Sequence, residues 1–208
     1  MKWSGLIVVS LVVFSNASRA GEPPVSPGKR VLSSYQLESK KQFREAIEAI
    51  MPAYLEAKGD YFLNLRLGWL FYLQGTYPNS LEHYRAALRL ESEAIVPRQG
   101  LIAVYAAQGK WSEVASEAGN ILHSYPGHLQ TQQAMVRALI EQKNWPQGLE
   151  KVNAYLKSDP IDLTLMEQKA NVLVEMKKEI LLEDHLKRLL LAYPLDAYAR
   201  NLKSFSRP

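Results

Sequence analysis

The residues that could carry chemistry in this chain are first of all its histidines, and their spacing argues against a metal centre. His83, His123, His128 and His185 do not form the closely spaced pairs, with one another or with carboxylates, that hold zinc on one face of a helix. His123 and His128 flank a Ser-Tyr-Pro turn and come nearest to a metal-binding pair. We therefore predict that the chain binds no metal.

Covalent and phosphate chemistry also lack their usual residues. The chain has no cysteine, which excludes disulfides, thiol catalysis and iron-sulfur ligation. It contains neither a Gly-x-Ser-x-Gly nucleophile elbow nor a glycine-rich phosphate loop. Glu38, Glu45 and Glu48 could be read as an acid-base set, but their spacing is more typical of the solvated face of a helix. We predict a protein without catalytic residues and without a cofactor.

The charge pattern does not favour nucleic-acid binding. The chain carries 25 Lys and Arg against 21 Asp and Glu, a formal net charge of +4. The basic residues are scattered along the sequence, whereas nucleic-acid binders cluster them on one face. We expect no nucleic-acid partner.

The first twenty residues have the pattern of a secretory signal. Lys2 supplies a charged start, residues 5–14 form an apolar run, and Ser18-Arg19-Ala20 offers small residues around a cleavage point. The run is shorter than the ~18 apolar residues of a membrane span, which favours cleavage over an uncleaved anchor. We predict a signal peptide over 1–20, a linker over 21–30 and no stable membrane insertion after cleavage. An exported chain without cysteine favours a bacterial periplasm, with secretion as the alternative.

The elements that would position any site follow a repeat of 34 residues. Three prolines mark it, because Pro126, Pro160 and Pro194 are spaced by 34 residues. A period of about 34 residues is typical of units made of two antiparallel helices, with a proline after the second helix. Aromatic residues keep the same period, each expected to begin a second helix after a polar turn: Tyr77, Trp111 and Trp145, with turns at Gly75, Gly109 and Lys143. An ordinary helical bundle would predict drifting loop lengths instead.

One unit resembles the tetratricopeptide family closely, and the resemblance covers most of the chain in weaker form. Asn64 stands where the family usually has Trp, and Lys169 occupies an apolar slot of the fifth unit. Ser33 and Ser34 replace the Leu-Gly pair in a weak first unit, whose second helix contains Pro52 and is expected either to bend over residues 49–52 or to be stabilised by its neighbours. The matching residues of the best unit are Leu67, Gly68, Phe71, Gly75, Tyr77, Tyr84 and Ala87.

The resemblance implies an all-α fold, a right-handed superhelical solenoid of antiparallel helix pairs. We predict about five such pairs over 31–194 and a C-terminal covering helix over 195–208, because an uncovered last unit would expose its apolar face. In this family the first helices line a concave binding groove. Its N-terminal half would present Leu65, Arg66, Trp69, Tyr72, Gln99, Ala103 and Ala106. Its C-terminal half would present Gln133, Arg137, Glu141, Glu167 and Asn171.

Each half of this groove has a structural alternative. Trp69 and Tyr72 could anchor an apolar side chain of a partner, or could simply pack the interior of the superhelix. Arg137 could bind a partner, or could pair with Glu141 one helical turn away. Family members that escort heat-shock chaperones hold a C-terminal carboxylate with Lys and Asn side chains. The matching positions here are Leu65, Trp69, Gln99 and Ala103, so the sequence does not support that activity.

We predict a non-enzymatic scaffold of the bacterial envelope that binds a protein or peptide segment in its concave groove. Fold alone does not fix function, so two alternatives stay open. The chain could self-associate as a structural oligomer. It could also be an enzyme subunit that presents a glycan or peptidoglycan, with acids such as Glu141 and Glu167.

Overall fold

Eleven α-helices follow one another in the computed structural model, which describes residues 26–205. The predicted signal peptide and most of the predicted linker lie outside the described residues. The first helices of the units are α1 (Pro27–Ser39), α3 (Tyr61–Gln74), α5 (Ile95–Ala107), α7 (Leu129–Glu141) and α9 (Leu163–Glu175). The second helices are α2 (Phe43–Glu56), α4 (Tyr77–Leu90), α6 (Trp111–Ser124), α8 (Trp145–Tyr155) and α10 (Glu179–Ala192), and α11 (Ala197–Phe205) ends the series.

The helices keep one register along the described chain. First helices begin at residues 27, 61, 95, 129, 163 and 197, and second helices begin at residues 43, 77, 111, 145 and 179. Tyr77, Trp111 and Trp145 begin second helices as the sequence predicts. Two boundaries differ: α1 already begins inside the predicted linker, and α11 begins at Ala197, where the first helix of a sixth unit would begin. Helix α2 continues through Pro52.

The turn within each helix pair needs one residue in the left-handed backbone region. Gly75 and Gly109 fill this position with φ of 82° and 68°. Lys41, Lys143 and Lys177 fill it with φ of 60°, 57° and 54°, at a cost of about 1 kcal/mol each relative to glycine. The turn geometry is therefore set by the stacking of the helices, and it is kept where glycine is absent.

The first helices lie on the inner side of the stack. Each helix packs on the next along the chain, and in addition α3 contacts α5 and α7 contacts α9. Direct contact between successive first helices is the mark of the tighter, concave face of a curved solenoid. We call α1, α3, α5, α7, α9 and α11 the inner helices, and the even-numbered helices the outer helices. Within residues 26–205, none of them is long and apolar enough to cross a membrane.

Close packing between units depends on small residues beside Tyr84. A methyl group added at Gly100 would lie 2.3 Å from Cζ of this ring, and one added at Gly68 would lie 2.8 Å from its Cδ1. The Ser80 hydroxyl donates a 2.6 Å hydrogen bond to the Gly68 carbonyl. Helices α3, α4 and α5 can therefore approach one another only because these positions are small.

In α3, α5, α7 and α11 a polar residue occupies the slot where the family usually has Trp and holds the turn before the helix, whereas α9 has Met166 there. Each donates to the carbonyl six residues earlier. The pairs are Asn64 to Lys58 at 2.8 Å, Arg98 to Ser92 at 2.9 Å, Gln132 to Pro126 at 2.6 Å and Arg200 to Pro194 at 2.9 Å. A side-chain hydrogen bond thus replaces apolar packing as the link between the turn and the following inner helix.

Two buried histidines lie at equivalent positions of the outer helices. His83 donates from Nδ1 to Asn64 Oδ1 at 3.1 Å, stacks on the Phe71 ring at 5.4 Å and meets the Tyr54 ring edge-on at 5.0 Å. His185 donates from Nε2 to the Met166 carbonyl at 2.8 Å. Burial lowers the pKa of both imidazoles, more than nearby acids and the Met166 carbonyl raise it.

These histidines predict a loss of stability in mild acid. An unfolded histidine titrates near pH 6.5, so below that pH the unfolded chain binds more protons than the folded one. We expect the free energy of unfolding, measured with urea, to be highest above about pH 6.5 and to fall on going to about pH 5. The variant His83→Gln, which keeps a donor for Asn64, should lose part of this fall.

The exposed His123 supplies the control for this experiment. His123→Gln should keep the full dependence on pH, since its imidazole lies at the surface. If the free energy of unfolding of His83→Gln falls with pH as steeply as that of the wild type, His83 does not contribute to the acid sensitivity.

Candidate functional site

A cavity of about 330 Å³ opens between the inner helices α1 and α3. Tyr35 and Trp69 occupy equivalent positions of the two helices, one repeat apart, and both line it. The other lining residues are Glu38, Phe62, Leu65 and Arg66. We call these six residues the aromatic pocket.

Arg66 forms the floor of the aromatic pocket. Its side chain is 4% exposed, it lies 3.8 Å from the centre of the Tyr35 ring, and its Nη1 forms an ion pair with Glu38. Its Nε donates to the Ser34 hydroxyl at 3.1 Å, and its Nη2 is buried without a hydrogen-bond partner in the described chain. Arg66 therefore supports the pocket from beneath, whereas the sequence predicts it as a residue presented in the groove.

Glu38 connects the floor of the pocket to its rim. While one carboxylate oxygen pairs with Arg66, the other accepts a 2.8 Å hydrogen bond from the Trp69 indole Nε1. Its side chain is 22% exposed, so the interpretation of Glu38 as part of a solvated face is wrong. Glu45 and Glu48 do lie on the surface, and Glu48 pairs with Arg44 at 3.0 Å. A carboxylate bound on both oxygens is suited to hold donors in place rather than to transfer protons.

Aromatic rings form the rim of the pocket. Trp69 is 40% exposed, and Tyr35 and Phe62 are exposed to a similar degree. The Trp69 and Tyr72 rings lie 5.6 Å apart, and Tyr72 also contacts the Tyr77 ring at 6.2 Å. Tyr72 is half-buried against the central core, as is Leu65. The two predicted aromatics thus differ, since Trp69 presents a face to solvent while Tyr72 supports it from the core side.

The middle of the inner face is shallow. Ala103 and Ala106 are half-buried and small, and Ala103 stands one repeat after Trp69. Gln99 lies on the same face and donates to Gln130 at 3.2 Å across to the next inner helix. This stretch offers space beside the aromatic rim.

The C-terminal half of the predicted groove is polar and internally bonded. Gln133 donates to both carboxylate oxygens of Asp162, at 3.1 and 3.0 Å, and Asp162 also caps α9. Arg137 pairs with Glu141 at 3.9 Å and lies over the Trp111 ring at 5.4 Å. Both are exposed, so this pair is a weak surface contact.

A second inner cavity, of about 270 Å³, lies between α9 and α11. Glu167 and Asn171 line it together with Thr164, Gln168 and Tyr198. Burial raises the pKa of the Glu167 carboxyl, and the neighbouring Asp196 raises it further. Five of the predicted site residues therefore line two cavities at opposite ends of the inner face, and the other seven line neither of these cavities.

The described residues contain no cluster of side chains suited to bind a metal ion. No group of three or more His, Asp or Glu side chains within 26–205 is arranged to hold an ion. His128 instead caps helix α7, with its Nδ1 accepting from the Thr131 amide at 3.3 Å. Among the described residues that line the aromatic pocket, Glu38 is the one acid. Both of its carboxylate oxygens already accept hydrogen bonds from protein donors.

Sequence reasoning missed the contribution of α1 to the pocket. Tyr35 and Glu38 stand one repeat before Trp69 and Tyr72, so extending the groove pattern to the weak first unit would have found them. Phe62 stands at the start of α3, and nothing in the family pattern marks it.

The fold is shared with solved tetratricopeptide structures, although sequence comparison finds no relative. No protein-family model and no curated protein matches the chain. A tetratricopeptide repeat protein from Parabacteroides merdae is 16% identical, with a TM-score of 0.77 over 86% of this chain and 72% of that chain. MamA from Desulfovibrio magneticus is 12% identical, with a TM-score of 0.73 over 82% of this chain and 97% of that chain. YrrB, whose structure is described as a tetratricopeptide protein with an unusual peptide-binding site, is 12% identical, with a TM-score of 0.70 over 86% and 92%.

The chain therefore has the tetratricopeptide-repeat fold, an all-α solenoid of consecutive helix pairs. The predictions of this fold class and of the resemblance are confirmed. Identities of this size establish the fold alone, so the site has to be argued from its own geometry.

The ion pair beneath the aromatic pocket yields a stability prediction. Glu38→Gln removes the charge that compensates the buried Arg66, so we expect the free energy of unfolding in urea to fall by about 1–3 kcal/mol. The matched control is Glu48→Gln, which removes an exposed pair with Arg44 and should cost less than about 0.5 kcal/mol. Equal effects of the two variants would show that Glu38 does not stabilise the pocket.

Proposed function

We propose that this chain is a non-enzymatic scaffold that holds a peptide segment of another protein on its concave face. The observation that carries the proposal is the aromatic pocket, where three exposed rings surround a cavity that is already open and whose floor is fixed by the ion pair of Glu38 and Arg66. Exposed aromatic groups of this kind are the usual anchors of protein interfaces.

The pocket is suited to one apolar side chain in an extended peptide. Phe62, Leu65 and Trp69 supply apolar walls, and burying such a side chain contributes about 1.5–3 kcal/mol. The shallow surface at Ala103 and Ala106 leaves room for the peptide to continue along the inner face. Because Glu38 holds Trp69 before binding, little conformational freedom is lost when the peptide docks.

Support also comes from the fold of the solved neighbours. YrrB is a tetratricopeptide protein with an unusual peptide-binding site, and the present chain shares its fold over most of its length. The inner face is where such solenoids offer an extended binding surface. In contrast, no described residues form a group arranged for metal catalysis, and the acids Glu141 and Glu167 occupy different parts of the inner face.

We further propose that the scaffold acts in the bacterial envelope, on the basis of residues 1–20. Their charged start and short apolar run are typical of a cleaved export signal. Recovery of the protein from the cytoplasmic fraction with residues 1–20 intact would contradict this location.

Self-association is the second candidate, and a separate observation favours it. Ile180, Leu191 and Leu195 are strongly exposed near the C-terminal end of the stack. Large exposed apolar residues often mark interaction surfaces. Light scattering of the purified chain at high concentration separates the two functions. A molar mass that stays that of the monomer would contradict self-association.

Trp69→Ala tests the peptide-binding function. A random peptide library selected on the wild-type chain should yield peptides with an apolar anchor, and Trp69→Ala should weaken their binding by at least about tenfold, since a central aromatic anchor is lost. Binding is measured by fluorescence anisotropy, and far-ultraviolet circular dichroism checks that the helices persist.

Tyr125→Ala is the matched control. It removes an equally exposed ring from the turn after α6, outside the pocket, and should leave peptide affinity unchanged. If no peptide is selected, or if Trp69→Ala binds as well as the wild type, the aromatic pocket is not the binding site.

A further inference from the structure

The outer face of the fifth unit contains a cavity of about 220 Å³ between the outer helices α8 and α10. Helix α9 supplies its floor, and Lys169 rises from that floor. Leu149, Leu173 and Leu181 give it apolar walls, while Asn153 lies at one side and His185 at the other. This cavity lies behind the inner helices, apart from both inner cavities.

Comparison between the repeats shows that Lys169 is out of place in a core slot. The equivalent residues of the second, third and fourth units are Leu67, Leu101 and Met135. Leu67 and Leu101 are fully buried, and each is part of an apolar cluster. A lysine at this position places a cation where these three units have an apolar side chain, which costs free energy unless the charge gains a partner.

The same comparison explains why there is space beside Lys169. Asn153 of α8 and Leu173 of α9 are equivalent to Arg85 of α4 and Tyr105 of α5, where the arginine donates to the tyrosine hydroxyl at 2.8 Å and fills the position. Between α2 and α3 the equivalent residues are Met51 and Phe71, which pack against the core. In the fourth unit Met135 itself reaches over Gly119, at 3.9 Å from a methyl group added there. The shorter side chains of Asn153 and Leu173 leave the position between α8 and α9 open.

The charges around the cavity sum to one uncompensated positive charge. Lys169 is half-buried and has no hydrogen bond or ion pair to any side chain in the described chain. Arg188 is already paired with Asp184 at 2.9 Å, and His185 donates to the Met166 carbonyl. Burial lowers the pKa of Lys169 and the charge of Arg188 lowers it further, while the charge of Asp184 raises it in part.

We propose that this cavity binds a carboxylate carried on a short aliphatic chain. The Lys169 ammonium and the Asn153 amide would donate to the carboxylate oxygens, and the three leucines would contact the methylene groups. A single positive charge matches one carboxylate better than a phosphate dianion. The carboxylate belongs either to a small free acid or to a glutamate side chain of a partner protein. The site is independent of the peptide-binding function proposed for the inner face.

Titration of the purified chain with two carboxylates tests the assignment. Butanoate represents a free acid, N-acetylglutamate amide represents a protein side chain, and butylamine is the control of opposite charge. We expect saturable shifts of the amide signals around Lys169 and His185 in heteronuclear NMR spectra with at least one carboxylate, and none with butylamine. Binding of both ligands indicates a site open to free acids, and binding of the glutamate derivative alone indicates a side chain of a partner.

Lys169→Met is the decisive variant. It restores an apolar residue to the slot, as in the fourth unit, so the chain should fold with equal or greater stability and lose at least tenfold in carboxylate affinity. Lys187→Met is the matched control, because Lys187 is an exposed lysine of α10 paired with Glu183 at 3.0 Å. The carboxylate affinity of Lys187→Met should equal that of the wild type. Absence of saturable binding by either carboxylate, or unchanged affinity in Lys169→Met, would overturn the proposal.

Discussion

Burial of each helix pair against the next is the constraint on which the rest of the structure depends. A single pair cannot cover its own apolar face, so every unit must hold the spacing of its neighbours. Inner helices therefore begin 34 residues apart along the described chain, and so do outer helices. The lysines in the left-handed turns show that this spacing is kept even where it costs backbone free energy. One consequence is functional. The inner-face position of Tyr35 recurs as Trp69, Ala103, Arg137 and Asn171, so the face changes from aromatic to small to polar along the stack.

The weak first unit becomes intelligible through the ion pair of Glu38 and Arg66. Ser34 replaces the glycine of the repeat pattern, and its hydroxyl accepts from Arg66 Nε, so the polar substitution complements a buried guanidinium. The same guanidinium is held by Glu38, which also holds Trp69. Departure from the repeat pattern thus joins α1 to α3 and builds an inner cavity with an aromatic rim. Rigid support of this kind lowers the free-energy cost of binding a flexible peptide.

The sequence alone predicts the helix pairs well because prolines, aromatic residues and turns follow the same spacing. Tyr77, Trp111 and Trp145 locate three outer helices for this reason. It could not predict that Arg66 is buried, since this depends on α1 covering it and the first unit barely shows the repeat pattern. The solvated face expected for Glu38 is wrong because the spacing of acids in the sequence carries no information about Arg66, the partner that lies on another helix. The sequence marks Lys169 as a charged residue in an apolar slot, but the cavity beside it depends on the lengths of Asn153 on α8 and Leu173 on α9, which pack together only in the fold.

Photo-crosslinking of a bound peptide tests most directly whether the aromatic pocket is the peptide-binding site. A peptide selected on the wild-type chain is synthesised with a benzophenone group at its apolar anchor and irradiated in complex, and the labelled fragments are identified by mass spectrometry. We expect labels in α1 and α3, within Pro27–Ser39 and Tyr61–Gln74. Labels confined to α7, α9 or the outer helices would contradict it.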